Sequence, residues 1–538
     1  MIAKRLSIKT KTSQAVTVTA RRVGILLLAL NLPACINGPA IDLAPDYQPA
    51  QFVVPDSWHG ASPFVEATPS DGEVRKKWWE LYGDPVLNSL EQQAMTANPD
   101  LQAAAERFLQ ARDIMMKARS RLIPQVGIEF GASRNKQSDE SLFRAPGEPS
   151  HDTNVSSGGI ASWEPDFWSA IRNETRIRIY GAEQSAAEYG LARLSLQAEI
   201  AENYFTLRGL DAQSATYRKS IDYYKKSLEI VEDQFRGMIA SALDVARAQY
   251  LLESTQAKAF DIQGRRQVIE HAIAILANQV PAAFRIEPVD ELQMAKFELP
   301  RQLPSTLLER RPDIASMERQ MAQANRAIGI ARAAFYPDIS FQVGGGFENH
   351  GIDLLKLASS FWSYGSSVSL PIFQGGLRRA RLQQAWSAYS ETEDKYRSTV
   401  LNAFREVENG LSLTDALSSA AERQNAAVGA AQQTQDLSME LFKGGLNSSL
   451  DLIYAQVSTL TARIDAVQVK TELLKSTVAL VRSLGGGWNL GRLPKDDEIQ
   501  PFDIFQYGNL DKPDAVGQID VNQKNREAFN DLTKPAVK

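Results

Sequence analysis

The chain has a single cysteine, Cys35, in 538 residues, so no intramolecular disulfide can brace it, and an oxidising compartment would have to be survived by packing alone. Its four histidines, His59, His151, His271 and His350, are scattered, with neither an HExxH pair nor any other ligand spacing. No GxxxxGK[ST] phosphate cradle and no strand-borne GxGxxG is present; Gly344-Gly-Gly346 falls inside an alternating pattern instead. With no convergent set of reactive groups, the expectation is a protein that is not an enzyme, with no catalytic residue, no metal and no cofactor. Beyond residue 31 no run of 18 apolar residues exists, which excludes a bundle of transmembrane helices.

Acid is missing from the first 34 residues, which hold Lys4, Arg5, Lys9, Lys11, Arg21 and Arg22 and lead into the apolar run Val23-Gly-Ile-Leu-Leu-Leu-Ala-Leu30. That is a secretory leader whose apolar stretch is too short to span a bilayer. It ends at Leu32-Pro33-Ala34-Cys35. Taking its six bases from 59 leaves 53 Lys+Arg against 64 Asp+Glu, so the net charge moves from −5 to −11. No basic patch invites nucleic acid.

What the chain does contain is a duplication. Residues 98–135 and 311–348 align without a gap at an offset of 213: Pro99-Asp100 fall on Pro312-Asp313, Gln110-Ala111 on Gln323-Ala324, Ala118-Arg119 on Ala331-Arg332 and Pro124 on Pro337. Phe235-Arg-Gly237 with Asp244 and Ala248-Gln249 matches Phe442-Lys-Gly444 with Asp451 and Ala455-Gln456 at an offset of 207. Each repeat reads as helix, strand, loop, strand, very long helix, glycine-bearing turn and long helix.

The strands follow the two matched prolines. Val126, Ile128 and Phe130 alternate with Gln125, Gly127 and Glu129, and Ile339, Phe341, Val343, Gly345 and Phe347 with Ser340, Gln342, Gly344 and Gly346. A third segment sets Trp362, Tyr364, Ser366, Val368, Leu370 and Ile372 against small polar residues, and a weaker fourth carries Val155, Ala161 and Trp163. Strands of roughly 10 residues suit a tilted membrane crossing. On alternation alone a soluble sheet fits equally well. Two facts favour a barrel: the second face, Gly and Ser, is too small to fill a soluble core, and four strands fall short of the ~8 that close a barrel, so several chains would pool theirs.

No proline interrupts residues 170–236, a helix on the order of 100 Å at ~1.5 Å per residue. Ala187, Leu191, Leu194, Ala198, Ala201 and Phe205 step by 4 and 3, as do Val457, Leu460, Ile464, Val467, Thr471, Leu474, Val478 and Val481. These are coiled-coil seams.

Cys35, Ala44-Pro-Asp-Tyr-Gln48, Trp78-Trp79, Tyr82-Gly-Asp-Pro-Val-Leu87, Asn98-Pro-Asp-Leu101, Arg311-Pro-Asp-Ile314, Phe335-Tyr-Pro337, Leu370-Pro-Ile-Phe-Gln-Gly-Gly376 and the two Phe-Arg/Lys-Gly turns together resemble the TolC-type outer-membrane factors. The resemblance is to the lipoprotein branch that serves resistance-nodulation-division (RND) efflux systems. It implies an α+β membrane protein built from a duplicated helix-strand-strand-helix unit, in which a homotrimer forms a 12-stranded outer-membrane β-barrel continued by a periplasmic α-helical coiled-coil barrel. A periplasmic adaptor (membrane fusion) protein and an inner-membrane RND transporter would complete the channel, with drugs or metals as cargo. An ABC-type exporter or type I secretion partner, and a structural coiled-coil lipoprotein, are the alternatives.

Cys35 resembles a lipoprotein acylation site, which implies palmitate-type chains inserted among outer-membrane lipid; two or more chains make such anchoring stable. The expected division is a signal peptide over 1–34, a lipidated segment over 35–85, a first repeat over 86–279 with strands at about 124–135 and 155–167, and an equatorial linker over 280–310. A second repeat follows over 311–487 with strands at about 337–349 and 361–373, then a partly disordered equatorial segment and tail over 488–538. Asp244 and Asp451 suit the first turn of a returning helix; the resemblance implies that they serve a periplasmic gate, with Asn447 where the family carries an arginine. Gly237, Ala240, Gly444, Gly445 and Ser448 are expected at the adaptor-binding tips, with Gly237 and Gly444 supplying a positive φ.

Overall fold

In a computed structural model of the chain, residues 40–47, 58, 64–65, 77–136, 138, 151–293, 299–300, 307–350, 356–495 and 499 are described. Cys35, the leader and residues 500–538, to which lipidation and tail disorder were assigned, lie outside them.

Each repeat begins with a helix launched by proline. Asp84 caps α1 (Pro85–Ala97) by accepting from the amides of Val86 and Leu87, and Asn98 caps α2 (Pro99–Arg119) by accepting from those of Asp100 and Leu101. Proline at the first helical position loses no hydrogen bond and its φ is already helical. The chain then turns through β1 (Gln125–Lys136) and β2 (His151–Trp163) into α3 (Ala170–Arg236) and α4 (Ala242–Leu276). The second repeat runs α5 (Pro312–Ala333), β3 (Asp338–Asn349), β4 (Ser360–Ser369), α6 (Leu377–Lys443) and α7 (Ser449–Ser483).

The duplication is copied residue for residue. Helices α3 and α6 have 67 residues each and α4 and α7 have 35 each. Gln125 pairs with Ser162 and Asp338 with Ser369. The first members are 213 apart and the second 207, so the six residues lost from the second repeat come out between its two strands.

The four-stranded sheet is antiparallel throughout, in the order β1-β2-β3-β4. Its register brings Val126, Ile128 and Phe130 onto one face with Ala161, Trp163, Phe341, Val343, Tyr364 and Val368. The other face is mostly Gly, Ser and polar. Gly346 has to be glycine: a Cβ there would stand 2.1 Å from the Ser157 carbonyl oxygen. Three strand ends differ from expectation. The second strand occupies His151–Trp163 rather than 155–167: it starts earlier because β1 is long enough to pair with His151, and it ends earlier because Pro165 lacks the N–H that a ladder needs. The fourth stops at Ser369 rather than 373, before Pro371, for the same reason.

Helices α2, α4, α5 and α7 all pack on α3, while α6 packs on α5 and α7. One flank of the chain is therefore β1, α2 and α4, and the opposite flank is β4 and α6. The main core lies where the two repeats meet, around Trp78, Trp79, Tyr82, Leu87, Tyr204, Val400, Leu411 and Val478. Below it a buried ion network fastens the connection after α4: Asp211 takes Arg266 at 2.6 Å and Arg208 at 3.1 Å, and those arginines donate to the carbonyls of Ile286 and Glu287. The predicted seams are largely inside, with Leu194, Ala198, Phe205, Leu460, Ile464 and Val478 buried and Val457 exposed. No helix among the described residues is long and apolar enough to cross a membrane.

Candidate functional site

The turns α3-to-α4 and α6-to-α7 lie at one end of the chain, a helix length from the sheet. Both end a 67-residue helix with the same hydrogen-bonded cap. Ile239 N–H reaches back to the Gln234 carbonyl at 2.8 Å and Leu446 N–H to that of Leu441 at 2.9 Å, while Met238 and Gly445 donate to Phe235 and Phe442 at 3.0 Å. This pairing requires a left-handed residue just past the helix. That residue is Met238 (φ 59°) in the first turn and Gly445 (φ 73°) in the second. Gly237 and Gly444, expected to hold the positive φ, have φ of −78° and −76°. They are the last right-handed residues, and the chain reverses one position later.

The returning helices start with matching capping boxes. Ser241 Oγ accepts from the Asp244 amide at 3.3 Å while Asp244 Oδ2 accepts from the Ser241 amide at 3.0 Å; Ser448 and Asp451 repeat this at 3.2 and 3.4 Å. Both acids thus satisfy helix ends. Asp244 does more, because its second oxygen accepts from the hydroxyl of Ser449, the first residue of α7. The hydroxyls of Ser449 and then Ser241 hold the Asp244 carboxyl below its ordinary range. Arg247 stands 3.9 Å away. Asn447 folds back on its own neighbour, accepting from Ser448 N–H at 3.0 Å.

Val231, Ala248, Met439, Phe442 and Leu452 form a small core that packs the two tips side by side, with Ala240 half-buried against it. Ser448 is exposed, as are Asp451 and Gly237. The residues that project furthest were not singled out from sequence: Met238, 95% exposed, with Ile239, Leu243, Leu446 and Leu450. Their signal was present as apolar residues in a turn between two polar helices. Around them Arg236 pairs with Asp233 and Lys443 with Glu440. Among the described residues no group of His, Cys, Asp and Glu could hold a metal ion.

The family model for outer membrane efflux proteins matches residues 90–279 and 303–486. The chain belongs to the outer membrane efflux protein family. This efflux protein is 29% identical over 485 residues to the pyoverdine export outer membrane protein OpmQ of Pseudomonas aeruginosa, covering 88% of this chain and 98% of that protein. It is 28% identical over 468 residues to the toluene efflux pump outer membrane protein TtgC of Pseudomonas putida, covering 86% and 96%. Among solved structures, the outer-membrane channel OprN superposes with a TM-score of 0.76 at 27% identity, covering 83% of this chain and 99% of that one. The efflux protein is accordingly an outer-membrane channel component with a long periplasmic helical portion.

Proposed function

We propose that three copies of this efflux protein close head to tail into a 12-stranded outer-membrane barrel continued by a periplasmic coiled-coil barrel. The duct so formed is the outer part of a tripartite pump, completed by a periplasmic adaptor and an inner-membrane RND transporter. The observation that carries the proposal is the pair of open flanks. Strands β1 and β4 are both edges, and four strands are too few to close. The same flanks expose apolar side chains on their helices: Tyr250, Phe260, Val268 and Ile275 on α4, and Leu401, Leu413, Leu437 and Leu441 on α6. Exposed apolar surface on two opposite, unlike flanks fits a heterologous ring. Two copies would give eight strands, whose interior side chains fill; three leave a lumen. Light scattering of the purified protein in detergent is expected to give three copies per particle, and a single copy would contradict the ring.

The lumen-facing Gly and Ser offer little to grip a cargo, and relatives of nearly equal similarity carry names as different as pyoverdine and toluene. Small-molecule cargo is therefore selected by the inner-membrane partner. Asp451, exposed at the tip, would be brought together with its two symmetry copies at the periplasmic entrance, where three carboxylates favour cations.

Lipidation at Cys35 is supported by the path of the residues that follow it. Ile41 N–H donates to Phe167 O at 2.8 Å beside the sheet; Asp42 then meets Arg176 and Arg326 at 2.8 and 2.9 Å, and Tyr47 reaches Glu318 at 2.7 Å. The segment runs away from the sheet, so its upstream end points toward it. Six residues span at most ~20 Å, which lets an acylated Cys35 enter the same membrane.

A further inference from the structure

Two connections occupy equivalent places in the repeats, residues 164–169 between β2 and α3 and residues 370–376 between β4 and α6. In the first, Trp168 stacks on Tyr336 with ring centroids 4.5 Å apart and donates its Nε1–H to the Pro337 carbonyl at 2.9 Å. Tyr336-Pro337 is the junction between α5 and β3. The connection of one repeat is thus seated on the helix-to-strand junction of the next repeat round.

The second connection has no such seat among the described residues. Ile372 is 98% exposed and Phe373 89%. They are nevertheless held in place: Gly375 and Gly376 have φ of 57° and 85°, and Arg378 donates to the Pro371 carbonyl and to Gln374 Oε1. At the offset of 213, the junction equivalent to Tyr336-Pro337 is Ile123-Pro124. It lies below β1, on the far edge of the sheet from β4, three strand spacings or about 14 Å away.

We propose that Ile372 and Phe373 of one protomer seat on the Ile123-Pro124 junction of a second copy and anchor the contact between them. The proposal rests on the ring reading and adds the residues that meet. Continuity of the sheet favours a second copy over lipid. Trp163 pairs with Phe341 across β2 and β3; shifting these by 207 and 213 puts Leu370 opposite Ile128 of a neighbouring copy, and Ser369 opposite Glu129. A neighbour's β1 added to β4 in that register carries its Pro124 down to the level of residues 371–374. In the first connection Trp168 supplies the bulk; in the second Gly375 stands there, and the bulk moves back to Phe373 and Ile372.

Two cysteine pairs in the full-length protein separate the ring from the anchor. Ser369→Cys with Glu129→Cys reports strand pairing between copies, and Phe373→Cys with Ile123→Cys reports the anchor. Both double variants should give covalent dimers and trimers on non-reducing gels after mild oxidation, and each single variant should give none. Phe373→Ser should lower the temperature at which the trimer dissociates in detergent. If the strand pair links while the Phe373 pair does not, and Phe373→Ser dissociates at the wild-type temperature, the side chains face lipid and the anchor is overturned with the ring intact. If neither pair links, the ring itself fails.

Discussion

A left-handed backbone costs a residue with a Cβ roughly 1–2 kcal/mol, and the two tips place that cost one residue after the glycines that first draw the eye. Gly444→Ala should be nearly neutral, since φ is −76° and an added Cβ would make only ordinary contacts. Gly445→Ala, at φ 73°, should destabilise the turn by about 1 kcal/mol. Amide exchange across residues 440–450 should therefore speed up several-fold in the second variant and not the first; equal rates would contradict the assignment. The glycines were legible in the sequence, but the reversal point was not, because methionine fills it in the first turn. Asp244 and Asp451 were legible as first-turn acids, whereas the bond from Ser449 to Asp244 joins residues 205 apart and needs the fold. A carboxyl with a depressed folded pKa contributes stability above its unfolded value near ~3.9 and loses it as pH falls through the folded value. Spin labels at Arg236→Cys and Lys443→Cys should thus keep their separation from pH 7 down to about 4 and part only below that. Separation at pH 6 would rule out Asp244 as the tie. Glu91 behaves oppositely. Burial pushes its carboxyl well above the usual range, only partly opposed by Arg193, and neither oxygen has a partner. Stability then falls as pH rises above the unfolded value. Glu91→Gln should raise the melting temperature at pH 8, by about 1–3 kcal/mol of stability, with the gain vanishing near pH 4.5; no gain at pH 8 would contradict it. Nothing in the sequence marks Glu91, because its burial follows from how α1 packs on α3.

The long helices were the most legible elements, since unbroken 3–4 spacing and absent proline act locally. Strand ends were less so. His151 to Asn154 are polar and read as loop, yet they extend β2 because β1 is long enough to pair with them, Lys136 opposite His151. The tips show the same division: their position between helices was readable, but which residues project was not. Ala240, expected at the surface, leans on the small tip core, so its replacement would disturb packing as well as docking. Ile239→Glu combined with Leu446→Glu is the cleaner test of adaptor contact. Both side chains are exposed, so trimer mass should be unchanged while pump-dependent export is lost. Export at the wild-type level, or collapse to monomers, would remove the tips as the adaptor surface.

At the scale of the whole molecule, duplication explains why one chain can neither close its sheet nor cover its flanks. In the proposed ring each repeat would hand its open edge to the next and the last repeat of one copy to the first of another, giving a continuous duct. The order of elements made this legible; the identity of the flanks did not, because which helix lies outermost is decided by packing on α3. Anchoring belongs at this scale as well. Cys35→Ser should leave an unprocessed precursor that takes up no labelled palmitate, and equal labelling of variant and wild type would exclude acylation there. The central claim, a trimeric duct narrowed at its periplasmic end by three Asp451 carboxylates, is tested most directly by single-channel recording of the purified protein in planar bilayers. Discrete conductance steps are expected, small and sensitive to multivalent cations in the wild type, and larger with weaker block in Asp451→Ala. Absence of any conductance in both proteins would contradict the duct.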